Sequence, residues 1–123
     1  YSKKIINILL LIFFIKKLLY LQKSNSMKSR SEYIRILKSY KDSKADEYGI
    51  CRIGIFGSVA RNEHNDDSDI DICVELLYPS LFYLVHIKEE LQQLFGVSVD
   101  IIRIKPEMDS LLKRDIMRDC IYA

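Results

Sequence analysis

Gly57-Ser58 is followed, after ten intervening residues, by the triplet Asp69-Ile70-Asp71. On a strand, residues i and i+2 point the same way, which would set the two carboxylates about 6 to 7 Å apart. Their charges repel at that distance unless a cation sits between them. Mg²⁺ suits such a place, because it takes a few carboxylate oxygens together with phosphate oxygens and water. Upstream, a Gly-Ser turn between a strand and the start of a helix exposes backbone N–H groups and a hydroxyl at the positive end of that helix, a cradle for phosphate. Either feature alone is weak, since a bare Asp-x-Asp is usually a solvated strand face. Jointly, at the ends of predicted strands, they point to chemistry on a nucleotide.

The elements that must hold these residues can be read from periodicity. Between Lys28 and Glu47 the residues Tyr33, Ile36, Leu37 and Tyr40 form one apolar helical stripe, which Gly49 ends. Residues 50–56 (ICRIGIF) read as a strand running into the Gly57-Ser58 turn, 59–63 as a short helix and 64–68 as a polar loop. Residues 69–75 alternate strictly, with Ile70, Ile72 and Val74 on one face and Asp69, Asp71, Cys73 and Glu75 on the other. After Pro79, Ser80 can cap a helix whose buried stripe is Leu81, Leu84, Ile87, Leu91 and Leu94, with Lys88, Glu89, Gln92 and Gln93 outside and Gly96 closing it. A third strand (97–104) and a last helix with Pro106 as its first residue complete the chain. Strands alternating with helices imply a small sheet covered by helices, in the α/β or α+β class.

The chain of 123 residues is long enough for one such domain, and 49% hydrophobic residues with eight Tyr and five Phe exclude a disordered protein. Cys51, Cys73 and Cys120 are odd in number and contain no Cys-x-x-Cys, so they suggest neither a zinc site nor a disulfide framework, and read as small buried side chains in a reducing compartment. The net charge of +2 is unevenly spread: residues 1–26 hold five Lys and no acidic residue, leaving −3 for residues 27–123. That mildly acidic balance argues against nucleic-acid binding through a broad basic surface. Residues 1–26 are unlike the rest. A signal peptide lacks its small-residue cleavage site here, and the apolar run Ile5–Ile15 is short for a membrane span of about 20 residues. Its residue types are all ones that A/T-rich codons encode, the chain opens on Tyr, and Met27 is the first Met. The expectation is a translated upstream stretch or a helical extension, which if ordered forms an apolar helix packing on this or another chain. The functional domain is then 27–123.

The run GIFGSVARNEHNDDSDIDICVEL (54–76) closely resembles the signature of the minimal nucleotidyltransferases, small members of the DNA polymerase β nucleotidyltransferase superfamily, whose G-S, ten residues, D-x-D it matches without insertion. The resemblance continues through LFYLVHIKEELQQLFGVSVDII (81–102) and the closing helix. It implies the polymerase β-like fold, a small mixed sheet flanked by helices, and a third carboxylate on the neighbouring strand, at Asp100. By the general two-metal scheme, Asp69 and Asp71 would bind two Mg²⁺ ions and Asp100 the catalytic one, helping to activate an attacking hydroxyl. Gly57 would let the backbone approach the β and γ phosphates, Ser58 would donate to them, and Arg61 would pair with a phosphate or with one of the carboxylates. The family setting implies a cytoplasmic antitoxin that moves AMP from ATP to a hydroxyl, on a Tyr, of a HEPN-domain toxin encoded beside it. The alternatives are transfer to a small molecule and a vestigial site that neutralises its partner by contact alone. Other polar residues read as structural: Ser68 as a turn residue, His64, Asp66 and Asp67 as solvated loop residues, Cys73 as a packed small side chain, and Tyr83 as core or interface rather than nucleotide pocket. His86 has no metal-like partner spacing.

Overall fold

The computed structural model describes residues 2–23 and 27–123. Ser29 accepts a hydrogen bond from the Glu32 N–H and so starts helix α2 (Arg30–Tyr48), which Gly49 stops in the left-handed conformation, φ +65°. The chain continues through β1 (Ile50–Phe56), the single turn α3 (Gly57–Ala60), β2 (Ile70–Leu76), α4 (Leu81–Phe95), β3 (Val99–Arg103), α5 (Ser110–Asp119) and β4 (Ile121–Tyr122). The four strands lie in the order β3-β2-β1-β4; β2 and β3 are parallel, and β1 is antiparallel to both β2 and β4. The sheet is mixed and flanked by helices, as expected.

Alternation along the strands decides which face each helix covers. Ile53 and Ile55 of β1 and Ile70, Ile72 and Val74 of β2 are fully buried against Tyr33, Leu37 and Tyr40 of α2 and Ile87, Leu91 and Phe95 of α4. Burial of this size is the main stabilising term, at roughly 1.5 to 3 kcal/mol per large side chain. The Tyr40 and Tyr48 hydroxyls both donate to the Glu90 carboxylate and tie α2 to α4. The opposite face carries a smaller cluster, in which Cys73 of β2 packs with Ile104 and with Ile116 of α5. That face is only partly covered, and its uncovered end holds the aspartates.

Several boundaries depart from expectation. The α4 stripe is Leu84, Ile87, Leu91 and Phe95, while Leu81 and Leu94 point to solvent at 76% and 46% exposure. Phe95, one residue beyond Leu94, fills the position over the sheet. Pro106 lies in a turn, and α5 starts at Ser110 because Asp109 caps it by accepting from the Leu111 and Leu112 N–H groups. The chain does not end in helix: Cys120 is extended, and Ile121–Tyr122 join the sheet edge beside Ile55 and Gly54. A two-residue strand has no periodicity to read.

Residues Ser2–Lys23 form α1, as an ordered apolar extension should. Its side chains from Lys3 to Leu18 are exposed all round, including Ile5 through Ile15, rather than packed into the core. Phe13, Lys16 and Lys17 stand beside Glu89, Gln92 and Gln93 of α4 across a shallow hollow. Among the described residues no helix is long and apolar enough to cross a membrane. Residues 1 and 24–26 of the N-terminal stretch lie outside the described residues.

Candidate active site

Asp71 and Asp100 are each the second residue of their strands, and the parallel register of β2 and β3 sets them side by side. Adjacent strands run about 4.8 Å apart, so the two carboxylates leave neighbouring positions of one edge. Ile70 and Ile72 are drawn into the α2/α4 core, which turns Asp71 to the opposite, partly open face. Asp69 stands just ahead of β2 and, like Asp100, is exposed. Burial raises the Asp71 carboxyl above its ordinary value; the charges of Asp100 and Asp69 raise it further, and Arg61 opposes them. Three aspartates therefore act on one another electrically, with Asp71 at the centre.

The Gly57 turn closes on the same point. Antiparallel pairing sets Phe56, the last residue of β1, opposite Asp71, and Gly57 follows with φ +73°. A Cβ at Gly57 would run into the Asp71 carboxylate. Glycine is thus required twice, by the left-handed backbone and by the close approach. Ser58 and Val59 then turn the chain over the end of the sheet, where the Arg61 N–H bonds to the Gly57 carbonyl at 3.1 Å and the Glu63 N–H to the Ser58 carbonyl at 2.8 Å. The single turn α3 occupies Gly57–Ala60, two residues earlier than the short helix read at 59–63. Arg61 donates to Glu63 at 3.0 Å and to Asp119, at the end of α5, at 2.9 Å. Its guanidinium is held by these two carboxylates while lying close enough to Asp71 to be felt.

The loop from Asn62 to Ser68 is more ordered than its composition suggests. Asn62 takes φ +60°, and Ser68 accepts from the Asn65 N–H at 2.9 Å, the expected turn role. Asp66 and Asp67 are exposed. His64 differs from expectation: it is half-buried, edge-on to Tyr33, with Nε2 2.9 Å from the Lys28 carbonyl and Nδ1 buried without a partner among the described residues. Tyr83 packs against Tyr48 in the α2/α4 layer, away from the aspartates. A hollow of about 610 Å³ also lies between α2 and α4, and none of the predicted site residues lines it.

The donor set fits Mg²⁺. Its oxygens are hard, Asp71 and Asp100 leave neighbouring positions of one edge, and the Asp71 carboxyl, raised first by burial, is raised further by the charges of Asp100 and Asp69, a repulsion that a cation would relieve. Among the described residues no three His, Cys, Asp or Glu side chains close around one point. An ion that keeps waters and phosphate oxygens needs only one or two protein carboxylates.

The profile of the nucleotidyltransferase domain matches residues 31–123. The chain belongs to that family. It is 38% identical over 100 residues to a Methanocaldococcus jannaschii protein named as a candidate protein adenylyltransferase, covering 79% of this chain and 100% of that one. It is 33% identical over 99 residues to the protein adenylyltransferase of Thermococcus cleftensis, covering 80% and 99%. A solved structure described as a candidate minimal nucleotidyltransferase superposes with a TM-score of 0.65 at 31% identity, covering 78% of this chain and 97% of that one. A toxin–antitoxin structure with AMP-PNP shares the fold, with a TM-score of 0.58 at 16% identity over 69% of this chain and 70% of that one. The protein is a nucleotidyltransferase enzyme. Two residues of this nucleotidyltransferase escaped the sequence reading: Asp119, which anchors Arg61 from the far end of the chain, and Gly54, where a side chain would meet the Cys120 sulfur. Nothing local in sequence marks either one.

Proposed function

We propose that this nucleotidyltransferase moves AMP from ATP to a tyrosine hydroxyl of a partner protein in the cytoplasm, and that the partner is a HEPN-domain toxin. The observation that carries the reading is the junction of the Gly57 backbone, Asp71 and Asp100 at one open edge of the sheet. The relatives named for protein adenylylation support a protein as acceptor, and the toxin–antitoxin neighbour agrees with a toxin as that protein. Residues 27–123 form the catalytic domain.

Asp69 and Asp71 would hold two Mg²⁺ ions, and Asp100 would share the catalytic one. Held by these carboxylates, Mg²⁺ would supply charge neutralisation for the triphosphate and for the leaving pyrophosphate. Gly57, lacking a side chain, lets backbone N–H groups of the turn approach the β and γ phosphates, and Ser58 adds its hydroxyl. Arg61 exchanges its exposed partner Glu63 for a phosphate oxygen, while the less exposed Asp119 holds the guanidinium in place. Asp100, exposed at the strand end, orients the incoming hydroxyl, which must come within about 3 to 3.5 Å of the α-phosphate. A domain of this size has little room for an acceptor pocket, so docking to a protein fits better than enclosure of a small molecule.

Co-expression with the neighbouring gene product, followed by intact-mass measurement, tests the proposal. Expected is one or more AMP additions on a partner tyrosine, requiring Mg²⁺ and lost in Asp69→Asn/Asp71→Asn and in Asp100→Asn. An unmodified partner in the presence of active-site-intact protein, ATP and Mg²⁺ overturns the catalytic reading and favours inhibition by contact.

A further inference from the structure

Cys73 and Cys120 are far apart in sequence, yet their sulfurs stand 2.9 Å apart on the α5 side of the sheet. Cys73 is fully buried in the central strand β2, beneath Ile116, and Cys120 is half-buried where α5 ends and the chain turns into β4. The residue that lets them meet is Gly54. In β1 it pairs with Cys73 on one side and with Tyr122 on the other, so any side chain there would rise between β2 and β4. A Cβ on Gly54 would come within 2.6 Å of the Cys120 sulfur and 2.8 Å of the Ile121 carbonyl oxygen. Its absence is the gap through which Cys120 reaches Cys73. Cys51 is the contrast: it is exposed, and its sulfur lies 3.9 Å from the Gly49 carbonyl.

We propose that Cys73 and Cys120 form an oxidisable dithiol, a modification site that closes into a reversible disulfide between β2 and the end of α5. Closing the bond brings the sulfurs together by about 1 Å. Cys120, the more accessible sulfur, attacks a small-molecule disulfide; its S–S bond breaks, one half leaves as a thiol and the other stays on Cys120 as a mixed disulfide. Cys73 then attacks the Cys120 sulfur, releasing the second half as a thiol and forming the Cys73–Cys120 bond. Two protein thiols are oxidised and one disulfide is reduced to two thiols, so electrons and protons balance. The bond fastens the segment carrying Asp119, and through it Arg61, to the strand carrying Asp71. The inference stands on packing alone and does not depend on the acceptor proposed above.

The test uses the full-length chain with Cys51→Ser, which leaves the core untouched. The protein is incubated with oxidised glutathione, quenched in acid, and alkylated in denaturant with N-ethylmaleimide. Expected is a mass lower by two hydrogens with no alkylation, a non-reduced peptide joining Cys73 to Cys120, and reversal by dithiothreitol. In Cys51→Ser/Cys73→Ala, glutathione should stay trapped on Cys120. The proposal is overturned if, in Cys51→Ser, both cysteines alkylate after oxidation, or if Cys120 keeps a stable glutathione adduct while Cys73 alkylates.

Discussion

Gly57 is placed so that backbone geometry and carboxylate position cannot be varied separately. Gly57→Ala forces an L-residue into the left-handed region, at about 1 to 2 kcal/mol, and pushes the Asp71 carboxylate aside. Reduced thermal stability together with at least tenfold weaker Mg²⁺-dependent transfer is expected; full activity in a folded Gly57→Ala protein would remove the turn from the site. Asp71 offers a second, opposite-signed prediction. Its folded-state carboxyl titrates above the ordinary value, first because of burial and then because of Asp100 and Asp69, so the folded protein binds the proton more tightly than the unfolded chain. Asp71 therefore costs stability progressively as pH rises from its ordinary value through its raised one. In EDTA, Asp71→Asn should be at least as stable as wild type near neutral pH, with the gain shrinking toward pH 4, measured by thermal unfolding across that range.

Among the elements, α3 and α5 are joined by a side-chain link rather than by an apolar interface. Arg61 leaves the end of α3 and meets Asp119 at the end of α5, where Arg118 also donates to that carboxylate. The hydrogen bonds from Arg118 and Arg61 hold Asp119 below its ordinary value. A depressed acid contributes stability above its unfolded value and loses it as pH falls through the folded one. Asp119→Asn should thus be less stable than wild type at neutral pH, with the two curves merging below about pH 4. Hydrogen exchange should show the loosening in α5 and in residues 57–61, while α2 and α4 keep their protection. Uniform loss of protection would mean that the link is not local.

The whole molecule divides its burial unevenly. Residues from Tyr33 to Val99 supply the main core, whereas the α1 side chains from Lys3 to Leu18 remain exposed. We expect a chain beginning at Met27 to unfold cooperatively, with a melting temperature within a few degrees of the full chain and unchanged transfer activity. Loss of cooperative unfolding would place α1 inside the folding unit. Gel filtration of both forms adds a check, because an uncovered apolar helix favours self-association and its removal should sharpen a monomer peak.

The amino-acid sequence by itself determined the elements that repeat and the chemistry that is local. The stripe of Tyr33, Ile36, Leu37 and Tyr40, the alternation of β2 and the helix ends Ser80, Gly49 and Gly96 are short-range patterns, and the structure keeps each of them, with Ile36 partly buried. Gly57-Ser58 with Asp69-x-Asp71 was legible for the same reason, since the spacing lies within one strand, one turn and one loop. Other matters depended on which surfaces finally met. Leu94 yielded its place to Phe95 because steps of three and of four residues from Leu91 both keep to one helical face, and only packing against the sheet selects between them. Cys73 with Cys120, Arg61 with Asp119, and β4 along β1 join positions at opposite ends of the domain. Such contacts leave no periodic trace, and only the register of a folded sheet decides them.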